Sequence, residues 1–152
     1  MHDEWMRNLA ANTPALPIER LIATRDRMKA VLPEADVANC ASLVADLELP
    51  DPGDRHVLAA AVTGKASIIV TWNLKDFPAQ DLRPYRVTSQ SPDDFLTELH
   101  AAFPDALISS VKRARLNLWK TTPTVERFID ALQQNGLKKF ARMLCQNIAL
   151  RD

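Results

Sequence analysis

Apolar residues recur along most of this chain at the three- and four-residue spacing of amphipathic helices. Residues 2–12 put Trp5, Leu9 and Asn12 on one face, with Met6 and Ala10 beside them, and Pro14 and Pro17 close the segment. Over 17–32, Ile18, Leu21, Ile22, Met28 and Leu32 keep phase among charged residues, which predicts a second helix ended by Pro33. Residues 35–48 read as a short strand and a short helix. The turn Leu49-Pro50-Asp51-Pro52-Gly53-Asp54 introduces a helix that begins at Asp54, carries His56 to Val62 and stops at Gly64. Ser67-Ile68-Ile69-Val70-Thr71-Trp72 is short, β-branched and apolar, the pattern of a strand covered on both faces of a parallel sheet. Residues 73–78 form a loop, and 85–88 a weaker strand. Ser91-Pro92-Asp93-Asp94 starts a helix that runs to Ala102, with a capping serine, proline at the first position and acids in the first turn. Everything after Pro104 is helical. Residues 104–119 place Leu107, Val111, Ala114 and Leu118 on one face; Pro123 opens a helix with Val125, Phe128 and Leu132 in phase, stopped near Gly136; the last covers 137–148. The expected organisation is an α/β part over 1–102 and a helical extension over 103–152.

At 152 residues, 47% hydrophobic and 25% charged, the chain can bury a core without staples. Nineteen basic and nineteen acidic residues cancel, which excludes a globally basic nucleic-acid coat or a polybasic membrane binder while leaving room for a local basic groove. Three glycines argue against a glycine-rich phosphate loop. Cys40 and Cys145 lie far apart with no C-x-x-C context, so neither a disulfide framework nor a structural zinc site is expected. No apolar run approaches the ~20 residues that span a bilayer, and the expected location is the cytoplasm. Zinc-protease and serine-hydrolase motifs are absent.

The stretch from Leu49 to Pro78 carries the candidate chemistry. In a right-handed crossover onto a parallel sheet, the helix starts at the carboxyl edge of the strands and the next strand returns to that edge. Asp54 at the helix start and Asn73 and Asp76 just past the strand would then face one crevice. Three oxygen-bearing side chains there suit a hard divalent cation. Each acid also has a local reading at this point: Asp54 complements a helix start, and Asp76 organises a turn.

Pro50-Asp51-Pro52-Gly53-Asp54-Arg55-His56-Val57-Leu58-Ala59-Ala60-Ala61, followed by Ile69-Val70-Thr71-Trp72-Asn73-Leu74-Lys75-Asp76-Phe77-Pro78, resembles the signature of the PIN-domain nucleases. It is similar to the branch that includes the VapC toxins of toxin–antitoxin pairs. In that family an acid opens a helix rich in small residues, and a strand ending in threonine leads to Asp or Asn and then Asp-Phe. His2-Asp3-Glu4-Trp5-Met6-Arg7-Asn8-Leu9 resembles the early helix that delivers a glutamate to the metal centre. The resemblance covers about residues 1–100 and implies a three-layer α/β/α fold with a short parallel sheet. The family opens with a central strand ending in a further aspartate; this sequence starts beyond that point, so the expected sheet lacks its middle strand and the site one carboxylate.

What the resemblance implies is a Mg²⁺- or Mn²⁺-dependent ribonuclease. Glu4, Asp54 and Asp76 would be metal ligands, Asn73 a neutral oxygen ligand or positioning group, and Thr71 a group that orients water or phosphate. Asp51 is a substitute for Asp54, with a turn role favoured by its flanking prolines. Arg55, Lys112 and Arg113 would contact substrate. Basic residues cluster at Lys112, Arg113, Arg115 and Lys120 around Trp119, and again at Lys138, Lys139 and Arg142, where a solvated helix face is the competing reading. Trp5 and Trp72 are expected to pack, His56 to sit on the helix surface or in the core, and His100 to lie at the surface. The implied partners are RNA, an antitoxin-type protein received by the C-terminal helices, and a second copy recruited by the open apolar edge at Ile68-Ile69-Val70. The alternative is a catalytically impaired module that binds RNA or a protein.

Overall fold

The computed structural model describes residues 2–13, 15–118 and 121–146, with side chains from Trp5 onward. Its α-helices, in chain order, are α1 (His2–Asn12), α2 (Ile18–Val31), α3 (Ala41–Val44), α4 (Arg55–Thr63), α5 (Ala79–Leu82), α6 (Pro92–Ala102), α7 (Pro104–Leu116), α8 (Val125–Gln134) and α9 (Lys138–Cys145). Two short strands, β1 (Ile68–Val70) and β2 (Thr88–Gln90), form a two-stranded sheet. Thr88 N–H donates to Ser67 C=O and Thr71 N–H to Gln90 C=O. Both partners advance together along their strands, so the pairing is parallel. The α/β class read from the sequence holds, with helix dominating.

The chain divides into two compact units. The first comprises Met1–Ile69 and Lys75–Ser89, the second Val70–Leu74 and Gln90–Asp152. Each has its own core. In the first, Leu47, Leu49, Leu58, Ala59, Ala61, Ile69, Phe77, Leu82 and Val87 pack together. Consecutive small residues of α4 let that helix lie close to its neighbours. Gly64 at the end of α4 contributes in the same way. Its φ is −79°, outside the left-handed region, which the next residue, Lys65, adopts instead. A Cβ on Gly64 would come within 2.8 Å of Val37 Cγ2 and 3.0 Å of the Ala60 carbonyl oxygen. The glycine is therefore required by close approach rather than by backbone angle.

The second core joins Ile108 and Val111 of α7, Ile129 of α8, and Phe140, Ala141 and Leu144 of α9. The buried stripe on α7 is thus Ile108 and Val111 with Leu107 half-buried, whereas Ala114 and Leu118 of the expected face are exposed. On α8 the fully buried residue is Ile129, flanked by the expected Val125, Phe128 and Leu132.

Several boundaries differ from the sequence reading. Residues 35–48 contain no strand: a 3₁₀ turn at Pro33–Ala35 leads through Asn39, at φ 61°, into α3. The expected strand at 85–88 begins only at Thr88. Arg83–Tyr85 makes a 3₁₀ turn, and Arg86 takes a left-handed φ of 58°, so the chain cannot extend earlier. On α1 the buried side chain is Met6, and Leu9 is exposed. On α2 only Leu21 is buried, while Ile18, Ile22, Met28 and Leu32 of the expected inner stripe are exposed.

Helix starts follow the sequence more closely. Thr124 Oγ1 accepts from Arg127 N–H at the start of α8. At α6, Ser91 Oγ accepts from Asp94 N–H at 3.1 Å and donates to Asp94 Oδ2 at 2.6 Å. Asp94 also binds the Lys139 ammonium. That hydrogen bond, ahead of the one from Ser91, holds the Asp94 carboxyl below its ordinary value, and its partner raises Lys139 above its own. A lowered acid stabilises the fold above its unfolded pKa, and the benefit fades as pH falls through the folded value. A raised lysine acts below its unfolded pKa, and its benefit fades as pH rises through the folded value. Asp94→Asn should therefore lower the midpoint of thermal unfolding at neutral pH and low salt. The difference from wild type should shrink below the ordinary carboxylate value of 3.8, and again above the lysine value of 10.5. Both groups face water, so added salt should weaken the effect. A difference independent of pH would show that the ion pair is not its source.

Candidate active site

In the first unit, the loop into α4 is built by Asp51 and two prolines. Asp51 Oδ1 accepts from Gly53 N–H at 2.7 Å, capping the 3₁₀ turn Pro52–Asp54. A Cβ on Gly53 would meet that same oxygen at 3.0 Å, so the tight turn suits glycine. This gives Asp51 the turn role that its flanking prolines favour. His56 donates Nδ1–H to the Gly53 carbonyl at 2.6 Å, which ties the first turn of α4 to the same loop. His56 also lines a cavity of about 300 Å³ with Trp5, Met28, Val37, Cys40 and Ala60.

The loop delivers Asp54 half-buried at the residue before α4. Arg55 follows as the first residue of the helix, also half-buried, with its Nε out of contact with water. Asp76 closes the 3₁₀ turn Leu74–Asp76 beyond β1 and is half-buried as well, next to the core residue Phe77. Asp54 and Asp76 both belong to the first unit. Glu4 is carried by α1, and its side chain lies outside the described residues.

Thr71 and Asn73 belong to the second unit. Thr71 is fixed by its backbone bond to Gln90, and its Oγ1 accepts from Asn73 N–H at 3.0 Å. The threonine hydroxyl thus shapes the turn that carries the Asn73 side chain, which is exposed. Trp72, expected to pack, is 58% exposed and belongs to neither core.

The basic residues of the second unit separate into distinct roles. Arg115 is half-buried and donates from Nη1 to the Pro123 carbonyl at 3.1 Å, so it braces the connection between α7 and α8. Lys139 is engaged by Asp94. Lys112 is half-buried; Arg113, which donates to Ser110 Oγ at 3.3 Å, is exposed, as are Lys138 and Arg142. Trp119 and Lys120 lie outside the described residues. His100, expected at the surface, is half-buried with Nε2 shielded from water.

Asp93 escapes the sequence reading. Its pattern marks it only as a first-turn acid of its own helix, yet among the described residues of the second unit it is the buried charged one. Its Oδ2 accepts from Lys139 N–H at 2.9 Å and its Oδ1 from Phe140 N–H at 2.8 Å. It therefore caps α9, 46 residues away, whose own N-cap Leu137 supplies no side-chain acceptor.

Hard cations favour carboxylate and amide oxygens, and Mg²⁺ takes only one or two carboxylates with water and substrate phosphate completing its shell. The two carboxylates of the first unit, Asp54 and Asp76, are donors of the type such an ion takes. Among the described residues, no group of three or more His, Cys, Asp or Glu side chains is close enough to hold a metal. No helix among them is long and apolar enough to cross a membrane.

Comparison with known proteins agrees with the resemblance seen in the sequence. The PIN domain family model matches residues 6–75. That match includes Asp54, Arg55, Thr71 and Asn73, begins after Glu4 and ends one residue before Asp76. The VapC50 C-terminal domain model matches residues 92–146, which contain Lys112 and Arg113. A protein of Mycobacterium tuberculosis (strain ATCC 25618 / H37Rv) named "Putative ribonuclease VapC50" is 58% identical over 45 residues. The aligned stretch spans 30% of this chain and 27% of that relative. No solved structure matches.

Proposed function

We propose that this VapC-like PIN-domain protein is a metal-dependent endoribonuclease, the toxin component of a toxin–antitoxin pair, that hydrolyses RNA phosphodiester bonds. The observation that carries the reading is the PIN match across 6–75, which encloses an acid delivered half-buried to the start of α4. In this reading Glu4, Asp54 and Asp76 hold the cation. Mg²⁺ or Mn²⁺, when bound, lowers the pKa of a water and offsets charge on the scissile phosphate. Asn73 orients the phosphate or adds a neutral oxygen, on the turn that Thr71 shapes. Arg55 contacts the reacting phosphate, and Lys112 and Arg113 hold the flanking backbone. The protein acts in the cytoplasm. An antitoxin-type protein docks on the C-terminal helices, and a second copy pairs at the open side of β1.

The test is cleavage of a panel of single-stranded RNAs. Cleavage should require Mn²⁺ or Mg²⁺, stop on addition of EDTA, and return with excess metal. Cleavage undiminished in EDTA would contradict the reading.

A second reading is an RNA- or protein-binding module without turnover. It would appear as salt-dependent RNA binding with no cleavage in either metal.

A further inference from the structure

Trp72 is one of several exposed large apolar side chains of the second unit, with Phe103, Leu116 and Leu118. It is 58% exposed, yet its ring is held in place. The benzo end rests over Gly136: a Cβ built there would lie 3.1 Å from Cη2, 3.4 Å from Cζ3 and 3.5 Å from Cζ2. Gly136 has φ 92°, a left-handed conformation that ends α8 and favours glycine, so the seat of the ring is bare backbone. The other end of the residue is fixed too. The preceding Thr71 is tied to Gln90 by its backbone and to Asn73 N–H through its hydroxyl. The ring, seated on backbone at its benzo end and left open to water, belongs to neither core.

Its surroundings have the chemistry of a single-stranded nucleic acid site. Lys138, two residues beyond Gly136, and Arg142, one turn further along α9, share a helix face and are exposed. Lys139 between them is engaged by Asp94 and so is set aside from this basic surface. Asn73, which the proposed function places at the reacting phosphate, is the next residue after Trp72. Asp130 lies with Lys138 on the rim of a neighbouring polar cleft and limits how far the basic surface extends.

We propose that Trp72 is a substrate-binding residue on which one nucleobase of single-stranded RNA stacks, with Lys138 and Arg142 holding the adjoining backbone phosphates. The inference rests on the ribonuclease reading and adds to it a base contact on the second unit. Stacking is tolerant of base identity, because every base has a π-face. The contact therefore positions the strand without fixing a sequence, and it excludes duplex RNA, whose bases are already stacked.

The test uses the full chain carrying Trp5→Phe and Trp119→Phe, so that Trp72 is the sole tryptophan, in EDTA to hold cleavage off. An unstructured oligouridine RNA should quench Trp72 fluorescence, and inorganic polyphosphate of matching charge should not. Trp72→Ala should weaken RNA binding by about 5- to 100-fold and Trp72→Phe by less, with the slope of affinity against salt unchanged. Lys138→Gln with Arg142→Gln should instead reduce that slope. RNA that binds without quenching, and as tightly to Trp72→Ala as to wild type, would overturn the stacking contact and leave the ribonuclease reading standing. No RNA binding even at low salt would overturn both. The fluorescence arm decides the matter should Trp72→Ala fail to fold.

Discussion

Asp93→Ala is expected to lower the stability of the second unit by about 2–4 kcal/mol, more than any other single polar substitution in it. The carboxylate is 8% exposed and spends both oxygens on the first N–H groups of α9, at 2.8 and 2.9 Å. Hydrogen bonds to a charged group contribute roughly 1.5–3 kcal/mol each, and a negative charge at a helix N-terminus up to about 2 kcal/mol more. Burying the charge costs part of that sum. Alanine leaves two donors at the foot of α9 without their acceptor, beside Phe140, which is 2% exposed in the same core. Asp93→Asn retains one acceptor and the shape, so it should cost about half as much. Denaturant titration followed by a probe in α9 measures both, and amide exchange should rise at Lys139 and Phe140 first. Equal stability of wild type and Asp93→Ala would show that the cap is dispensable.

Asp54→Asn is expected to reduce metal-dependent RNA cleavage by about 10²–10³-fold, the loss seen when one electrostatic contributor to a transition state is removed. The substitution keeps the size of the side chain at the start of α4, so stability should change little. Asp51→Asn is the matched control. Its oxygen can still accept from Gly53 N–H, and it should cleave near the wild-type rate. Cleavage by Asp54→Asn at the wild-type rate would remove this acid from the mechanism.

Much of the fold is legible in the sequence where the cause is local. Ser91 announces its helix because capping is decided within four residues, whereas the Thr124 cap of α8 goes unread beside Pro123. The small-residue run from Leu58 to Ala61 marks α4 as buried because only a tightly packed helix needs it. The errors occur where distant contacts decide. Arg86 carries no glycine or asparagine signal for its left-handed φ, so the start of β2 is misplaced by three residues. Ile18, Ile22 and Met28 have helical phase yet stay exposed, since phase identifies a stripe and not its cover. Asp93 looks like an ordinary first-turn acid, and nothing near it in sequence points to Lys139 and Phe140. At the candidate site, the order Asp54, Thr71, Asn73, Asp76 is legible as a motif. The turn role of Asp51 is hinted at by its flanking prolines, and the hydrogen bond from Gly53 N–H establishes it.

Asp54 and Asp76, with Glu4, are proposed to hold one catalytic cation. Manganese titration followed by electron paramagnetic resonance, on wild type, Asp54→Asn, Asp76→Asn and Glu4→Gln, tests this assignment directly. The wild-type chain should bind manganese, and binding should weaken in each variant. Manganese affinity unchanged in Asp54→Asn and Asp76→Asn would contradict the assignment.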